Sequence, residues 1–427
     1  MLLPAIVFVV LMIIGVPIAF VLGLMGTVHT ILLGNPNFLL VTVQRLFDQI
    51  NLASLTCLPF FILAGEVMNA GGVTKRLLGF IREVAGILKG GMAYSCVLIA
   101  ALLSAILGSP NGVASMLCGV LVPELRKDGY PEEFTGSLVA ASAILGPIIP
   151  PSTSYIMYCM LTNTSIKAMF VGGIVPGILL VFVFCSLISY FAAKLKFRRS
   201  IDSLSLRRIG KNFIIAFPAL LVPGIIIGGV IGGFFTATEA GAVSCLCAFI
   251  ASAIYREIDW HKIPGILLRS AMTGGGILLM ISFGGVISWS LTRSGIPRQL
   301  IQFVMGITTS KDLVIALIIV ILMIGGCLLD TGTMQMVFNP VMFPLAMAIG
   351  MDPVHFGIVF CVLLCIGYMT PPVGVVLFVT SNAAGIPFSK LCKLVWPFAI
   401  GAFVVISVLA YLPDLVLWLP RLTGYAG

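Results

Sequence analysis

Apolar runs follow one another along the whole chain, among them residues 2–20, 174–191, 213–231 and 313–323. Several approach the ~20 residues that a helix needs to cross a hydrocarbon core. About 11 to 12 apolar segments are legible, some too short to span alone. An unpaired backbone group in lipid costs several kcal/mol, which excludes open sheets. The pattern predicts an all-α polytopic membrane protein. Near 93–123 and again near 313–349, two apolar stretches of about 15 residues join across a polar break. The breaks are Gly108-Ser109-Pro110-Asn111-Gly112 and Asp330-Thr331-Gly332-Thr333. Fifteen residues rise only about 22 Å as helix, short of a ~30 Å core. Each pair is therefore predicted to be a re-entrant helical hairpin. After each comes an apolar segment interrupted at a Pro-Pro doublet, through 146–151 and 367–372.

These interruptions are in register. Residues 108–152 align without a gap with 329–373, pairing Pro123 with Pro344, Gly129 with Gly350, Gly136 with Gly357 and Gly146 with Gly367. Pro150-Pro151 pairs with Pro371-Pro372. From the Gly and Pro content, about 0.7 such matches would arise by chance, against six found. Matching helix breakers in two halves of an apolar chain mark a secondary transporter with its site between repeats. Proline donates no backbone hydrogen bond and disfavours helix in the residue before it, so each doublet frees carbonyls in mid-membrane. Irregular backbone survives at that depth only where protein or a polar cavity covers it. The organisation expected is a first membrane repeat over 1–200, a basic cytoplasmic linker over 201–211 and a second repeat over 212–427. The two are taken as inverted, the usual arrangement for carriers with hairpins.

Composition agrees with this class: 60% of residues are hydrophobic and 9% charged, with a mean hydropathy of +1.18. A soluble surface cannot be built from so little charge. The net charge of +9 does not point to nucleic acid. Its densest cluster, Lys194, Lys196, Arg198, Arg199, Arg207, Arg208 and Lys211, lies between the halves, and the positive-inside rule puts that loop in the cytoplasm. No Lys or Arg precedes Arg45 and no small-residue cleavage signature is present. Residues 1–20 are accordingly read as a retained first span. The 11 Cys are scattered through apolar segments without the neighbouring His or Cys that a metal needs. No HExxH, GxSxG or phosphate-cradling GxxxxGK[ST] occurs, so neither an intramembrane enzyme nor an ATP-driven pump is indicated.

The stretches 58–66 (LPFFILAGE), 146–151 (GPIIPP), 236–241 (TATEAG), 350–357 (GMDPVHFG) and 367–374 (GYMTPPVG) carry a resemblance. Their order and spacing resemble the large membrane subunit of the tripartite ATP-independent periplasmic (TRAP) transporters, the DctM-like group, from about residue 15 to 397. The resemblance implies an elevator-type carrier of the bacterial or archaeal inner membrane, in which a transport domain slides against a scaffold, coupled to sodium. It also implies two partners, a small membrane subunit and a periplasmic solute-binding protein. No four-helix region precedes Gly15, as expected for a free large subunit. Relatives often carry Gly-Ser-Ser or Gly-Ser-Ala at the first tip, where this chain has Gly108-Ser109-Pro110-Asn111-Gly112.

Sodium wants several oxygens without a full negative charge that would trap it. The first half offers Ser109 and Asn111 with carbonyls at Gly146, Ile149 and Pro151. The second offers Thr331, Thr333, Thr370 and the Gly367 carbonyl. The resemblance singles out Thr333 and Thr370. The plainer role for such hydroxyls is bonding to helix carbonyls. Arg293, at the end of a long apolar stretch, can fork onto a carboxylate, and the resemblance supports the same position; the alternative is snorkelling to headgroups. Asp330 either orients Arg293, shapes the ion site or caps the following helix. Ser154 is a candidate solute contact. Glu66 and Glu239 are structural or proton-linked acids.

A dianion entering a negative interior at 100 mV faces about 4.6 kcal/mol, which two sodium ions would cancel. Sodium-coupled uptake of an organic acid (a C4-dicarboxylate, a sialic or sugar acid) is the expectation, with no organic cofactor. The alternative is a carrier of the same fold that runs on protons or exchanges ions.

Overall fold

The computed structural model describes residues 2–200 and 205–426, so Met1, residues 201–204 of the linker and Gly427 lie outside the description. Twenty α-helices make up the described chain, with one isolated β-bridge between Lys89 and Arg199. The first half runs α1 (Leu2–Ile14), α2 (Ile18–Leu32), α3 (Asn37–Ile50), α4 (Cys57–Ala70), α5 (Val73–Ala85), α6 (Gly91–Leu107), α7 (Pro110–Lys127), α8 (Glu132–Ala143), α9 (Thr153–Thr162) and α10 (Ile166–Lys194). The second runs α11 (Leu206–Ile231), α12 (Ala237–Tyr255), α13 (Ile263–Arg293), α14 (Ile296–Ile307), α15 (Lys311–Leu328), α16 (Thr331–Ala348), α17 (Pro353–Tyr368), α18 (Val375–Ala384), α19 (Phe388–Tyr411) and α20 (Pro413–Leu422). Among the described residues six helices are long and apolar enough to cross a membrane: α10, α11, α12, α13, α15 and α19.

The first apolar run is not one helix. Gly15 takes a left-handed φ of +84° and Pro17 follows it, so the chain stops at Ile14 and restarts at Ile18. The basic residues Arg207, Arg208 and Lys211 lie on the first turns of α11, whose N-cap Ser205 accepts a hydrogen bond from the Arg208 amide.

One order of elements occurs twice. Helix α4 turns into amphipathic α5 at Gly72 (φ +70°), with a 71° bend, and α13 turns into amphipathic α14 at Gly295 (φ +75°). Two helices of nearly equal length then flank a short tip, α6 and α7 in one case, α15 and α16 in the other. Each is followed by a helix that ends ahead of a Pro-Pro doublet, α8 before α9 and α17 before α18; both doublets are cis.

Packing sorts the helices into two groups. In one, α13 lies against α2, α3 and α4, α12 against α4, and α11 against α5 and α12. In the other, both hairpins, α8 to α10 and α17 to α20 pack together around α17, which is buried from Val354 through Tyr368. Glycines permit the closest approaches in this second body. A Cβ on Gly367 would sit 2.5 Å from the carbonyl carbon of Gly326, so α15 and α17 meet backbone to backbone. The groups touch where α16 meets α13 and α14, and where α6 meets α4 and α5.

Candidate transport site

A cavity of about 830 Å³ lies between the two groups. Ser109, Asn111, Asp330 and Thr331 from the two tips line it, as do Thr153, Ser154 and Tyr368 beside the two breaks. The opposite wall is Ile62, Glu66, Asn69 and Lys75 of α4 and α5, with Thr273, Ile277 and Met280 of α13. Its size and its few convergent polar groups are those of a small-molecule site.

The first tip is shaped by Gly108 (φ +56°), which stops α6, and by Pro110 at the first position of α7. Proline there loses nothing, since that amide has no helical partner, and its fixed φ suits the helix. Thr153 Oγ1 donates to the Gly108 carbonyl at 2.7 Å. A Cβ on Gly146 would meet the Ser109 carbonyl at 3.1 Å. The broken segment thus abuts the tip, and Gly146 is what allows the approach. Asn111 Nδ2 donates to the Tyr368 hydroxyl at 2.9 Å, tying the first tip to the break of the second half, while Asn111 Oδ1 is buried without a partner. Gln335 Nε2 makes the reverse tie, donating to the Ser154 carbonyl at 3.1 Å.

At the second tip Asp330 is the N-cap of α16. Its Oδ2 accepts from the amides of Gly332 (2.9 Å) and Thr333 (3.1 Å), and its Oδ1 accepts from the Thr333 hydroxyl. This satisfies amides that a helix start leaves open and sets the carboxylate against the positive end of the helix dipole. Asp330 also lines the cavity, so capping and site roles coexist in one side chain. Thr333 is fully buried behind it. Thr370 donates to the Ile366 carbonyl at 2.7 Å, and the Gly367 carbonyl accepts from the Thr370 amide at 2.8 Å. Neither they nor Gly146, Ile149 and Pro151 are among the residues facing the cavity. Ile149 packs its side chain onto Gly177 of α10.

Arg293 stands apart. It is exposed at the far end of α13, its guanidinium 5.3 Å from the Phe38 ring centre, about 20 Å further along the helix than Met280. The cation that lines the cavity is Lys75, which is exposed on α5. Its position was legible as the third residue beyond Gly72, just as Arg298 is the third beyond Gly295. Glu66 lines the mouth and pairs with Arg269 of α13 at 3.4 Å. Glu239 lies elsewhere: with Thr236 it forms a capping box at the start of α12, accepting from the Thr236 amide at 2.8 Å. Tyr368, Gln335 and Thr273 escaped the sequence reading, because a lone polar residue in an apolar run does not disclose which face it occupies.

Residues 5–415 match the family described as the tripartite ATP-independent periplasmic transporter, DctM component. The chain is 34% identical over 97% of its length to an uncharacterized protein, YgiK, of Salmonella typhimurium, 96% of which is covered. It is 33% identical to the sialic acid TRAP transporter large permease protein SiaM of Vibrio cholerae, with 96% of each chain covered. In fold it is similar to the Alcanivorax borkumensis YdaH transporter, with a TM-score of 0.68 over 98% of this chain and 99% of that one at 13% identity.

Proposed function

This chain belongs to the DctM family, the large permease component of tripartite ATP-independent periplasmic transporters, and from that premise we propose that it takes up an organic acid across the inner membrane, driven by sodium. The family consists of multi-pass membrane permeases and not of enzymes. One observation carries the reading: two tips and the residues flanking two broken segments, far apart in sequence, bring a few polar groups together in one cavity between two packed helix groups. At the cavity wall the unpartnered Asn111 Oδ1 and the hydroxyls of Ser109 and Thr331 supply oxygens of the kind sodium prefers, and the carbonyls of Gly146, Ile149 and Pro151, away from that wall, would complete the set. In the second half Thr333, Thr370 and the Gly367 carbonyl would be the counterpart ligands.

The substrate is a carboxylate of the class to which the relative's sialic acid belongs. It occupies the cavity, with Ser154 and Asp330 in its wall and Lys75 at the mouth. The two halves act as inverted repeats, and the body holding the hairpins slides along α13. A travel of about 20 Å carries the tips from the level of Met280 to that of Arg293, which meets the acid in the other state. A solute-binding protein delivers the acid, and a small membrane subunit braces the group formed by α2, α3, α4, α11, α12 and α13.

Uptake by vesicles holding the complete system tests the coupling. Replacing sodium with choline should abolish accumulation at constant pH. Undiminished uptake in choline would leave the alternative, a carrier of the same fold that runs on protons or exchanges ions. A crosslink between cysteines at Asp330 and Thr292 should form only if the sliding step occurs.

A further inference from the structure

A second groove, of about 350 Å³, opens at the basic end of α10, away from the cavity. Its floor is Ala192 and Ala193, its rim carries Lys89 and Lys196, and the Tyr94 and Ser189 hydroxyls, 2.6 Å apart, stand inside it. The rim is held by backbone. Gly90 N donates to the Arg198 carbonyl (3.2 Å) and Ser200 N to the Gly86 carbonyl (3.0 Å), so 195–200 lies antiparallel to 86–90. Phe197 pins this strip from beneath, 4.4 Å from the Tyr130 ring and 5.0 Å from that of Phe134. Lys196 itself has a left-handed φ of +53°.

Lys89, Lys194, Lys196, Arg198 and Arg199 are all exposed there, and among the described residues none pairs with a carboxylate. Asp128, in the adjoining cleft, accepts instead from Ser200 Oγ at 3.1 Å. From the groove an exposed apolar stripe runs back along α10 through Tyr190, Phe182 and Ile178. Ile178 to Ser189 is about 16 Å of helix, a length that suits an acyl chain lying on it.

We propose that this groove binds one anionic phospholipid, its phosphodiester held by Lys89 and Lys196 with the Tyr94 and Ser189 hydroxyls, its acyl chain along α10. Cations without a carboxylate partner among the described residues, beside two mutually hydrogen-bonded hydroxyls at the end of an exposed apolar stripe, match a molecule that is anionic at one end and apolar at the other. A soluble phosphate would use the cations and leave the stripe unused. The bound lipid would tie the base of α6 to α10 at the foot of the first hairpin.

The purified full-length chain, exchanged into micelles doped with phosphatidylglycerol or phosphatidylcholine, is examined by native mass spectrometry. The wild type should retain one phosphatidylglycerol in preference to phosphatidylcholine. Lys89→Gln with Lys196→Gln should weaken that retention by about tenfold to thirtyfold. Lys262→Gln with Lys311→Gln removes equal charge elsewhere and should leave it unchanged. Ala193→Trp fills the floor, keeps every charge and should also release the lipid. The proposal is overturned if both groove variants retain phosphatidylglycerol as the wild type does, or if the control pair loses as much. It is equally overturned if phosphatidylcholine is held as well, or if millimolar inorganic phosphate displaces the lipid.

Discussion

Gly367→Ala is the substitution whose consequence can be worked furthest from the structure. The added Cβ would lie 2.5 Å from the carbonyl carbon of Gly326, 2.6 Å from its Cα and 2.9 Å from the amide nitrogen of Cys327. All three are backbone atoms, so no side chain can swing aside. Restoring ordinary contact requires α15 and α17 to part by about 1 Å, and such a gap forfeits a quarter to half of each dispersion contact along the seam. Overpacking of this kind costs about 1–3 kcal/mol, less up to about 1 kcal/mol regained because alanine favours helix more than glycine does. Gly210→Ala is the reference: beyond its own turn of helix nothing lies within 4 Å of its Cβ position, so only the helix gain of about 1 kcal/mol remains. The two identical exchanges should therefore shift thermal unfolding in opposite directions. A thiol-reactive dye reads this directly, since Cys361 and Cys365 of α17 are fully buried until the core opens. Parting the helices also displaces the second tip, so sodium-dependent uptake should fall at Gly367→Ala and not at Gly210→Ala. Equal melting temperatures for Gly367→Ala and the wild type would refute the close backbone packing on which the second tip is built.

Tyr368→Phe removes the hydroxyl to which Asn111 donates and leaves a largely buried amide with neither end paired. A loss of about 1–3 kcal/mol in organisation of the first tip is expected, read as a rise in the sodium concentration for half-maximal uptake; an unchanged sodium dependence would count against Asn111 as part of an ion site. Thr236→Val removes a helix cap, so it should lower stability by about 1 kcal/mol. Glu239→Gln should leave the pH profile of uptake where it is, whereas a displaced profile would give Glu239 the proton-linked role. Glu132, half-exposed, accepts from Lys390 at 3.1 Å and Arg126 at 3.3 Å; the Lys390 hydrogen bond, chiefly, holds its carboxyl below the usual carboxylate range. A depressed folded-state pKa means that this pairing stabilises above the ordinary value and is lost as pH falls through the folded one. Glu132→Gln should thus melt earlier than wild type at neutral pH and converge with it below about pH 4; a gap that persists in acid would show that the charge is not the cause.

Helix ends could be read from the chain because the residues that end helices act locally. Glycine at 108, 129, 295 and 350 adopts the left-handed conformation that other residues avoid. Asp330 and Asp352 accept from the amides two and three residues on, as capping residues do. Cavity lining is not local in this way. Tyr368 and Thr370 are two residues apart, yet the hydroxyl of one accepts a hydrogen bond from a tip of the other half while that of the other donates within its own helix. Arg293 shows the same limit: its helix is long, and position along α13 decides whether a cation meets the cavity. The break at Gly15 was masked by the unbroken hydrophobicity of residues 2–20, in which one glycine and two prolines are diluted.

The distribution of charge around the cavity has a physical logic under the proposed mechanism. A guanidinium fixed between the tips would bind a carboxylate tightly in every state, and it would carry a buried charge whose desolvation costs several kcal/mol. Here the tips present hydroxyls, an amide, carbonyls and the Asp330 carboxylate, which is held by the amides of Gly332 and Thr333, while the cations stand on the opposing group. Lys75 and Arg298 each follow a left-handed glycine by three residues, Gly72 and Gly295, at the start of an amphipathic helix. Arg293 precedes the second of these glycines by two. Under that mechanism, cations placed at two levels of a stationary surface would attract an acid at each end of the stroke without travelling with it. The charge that must cross with the acid would then be supplied by ions held at the tips, which would tie the anion's movement to theirs.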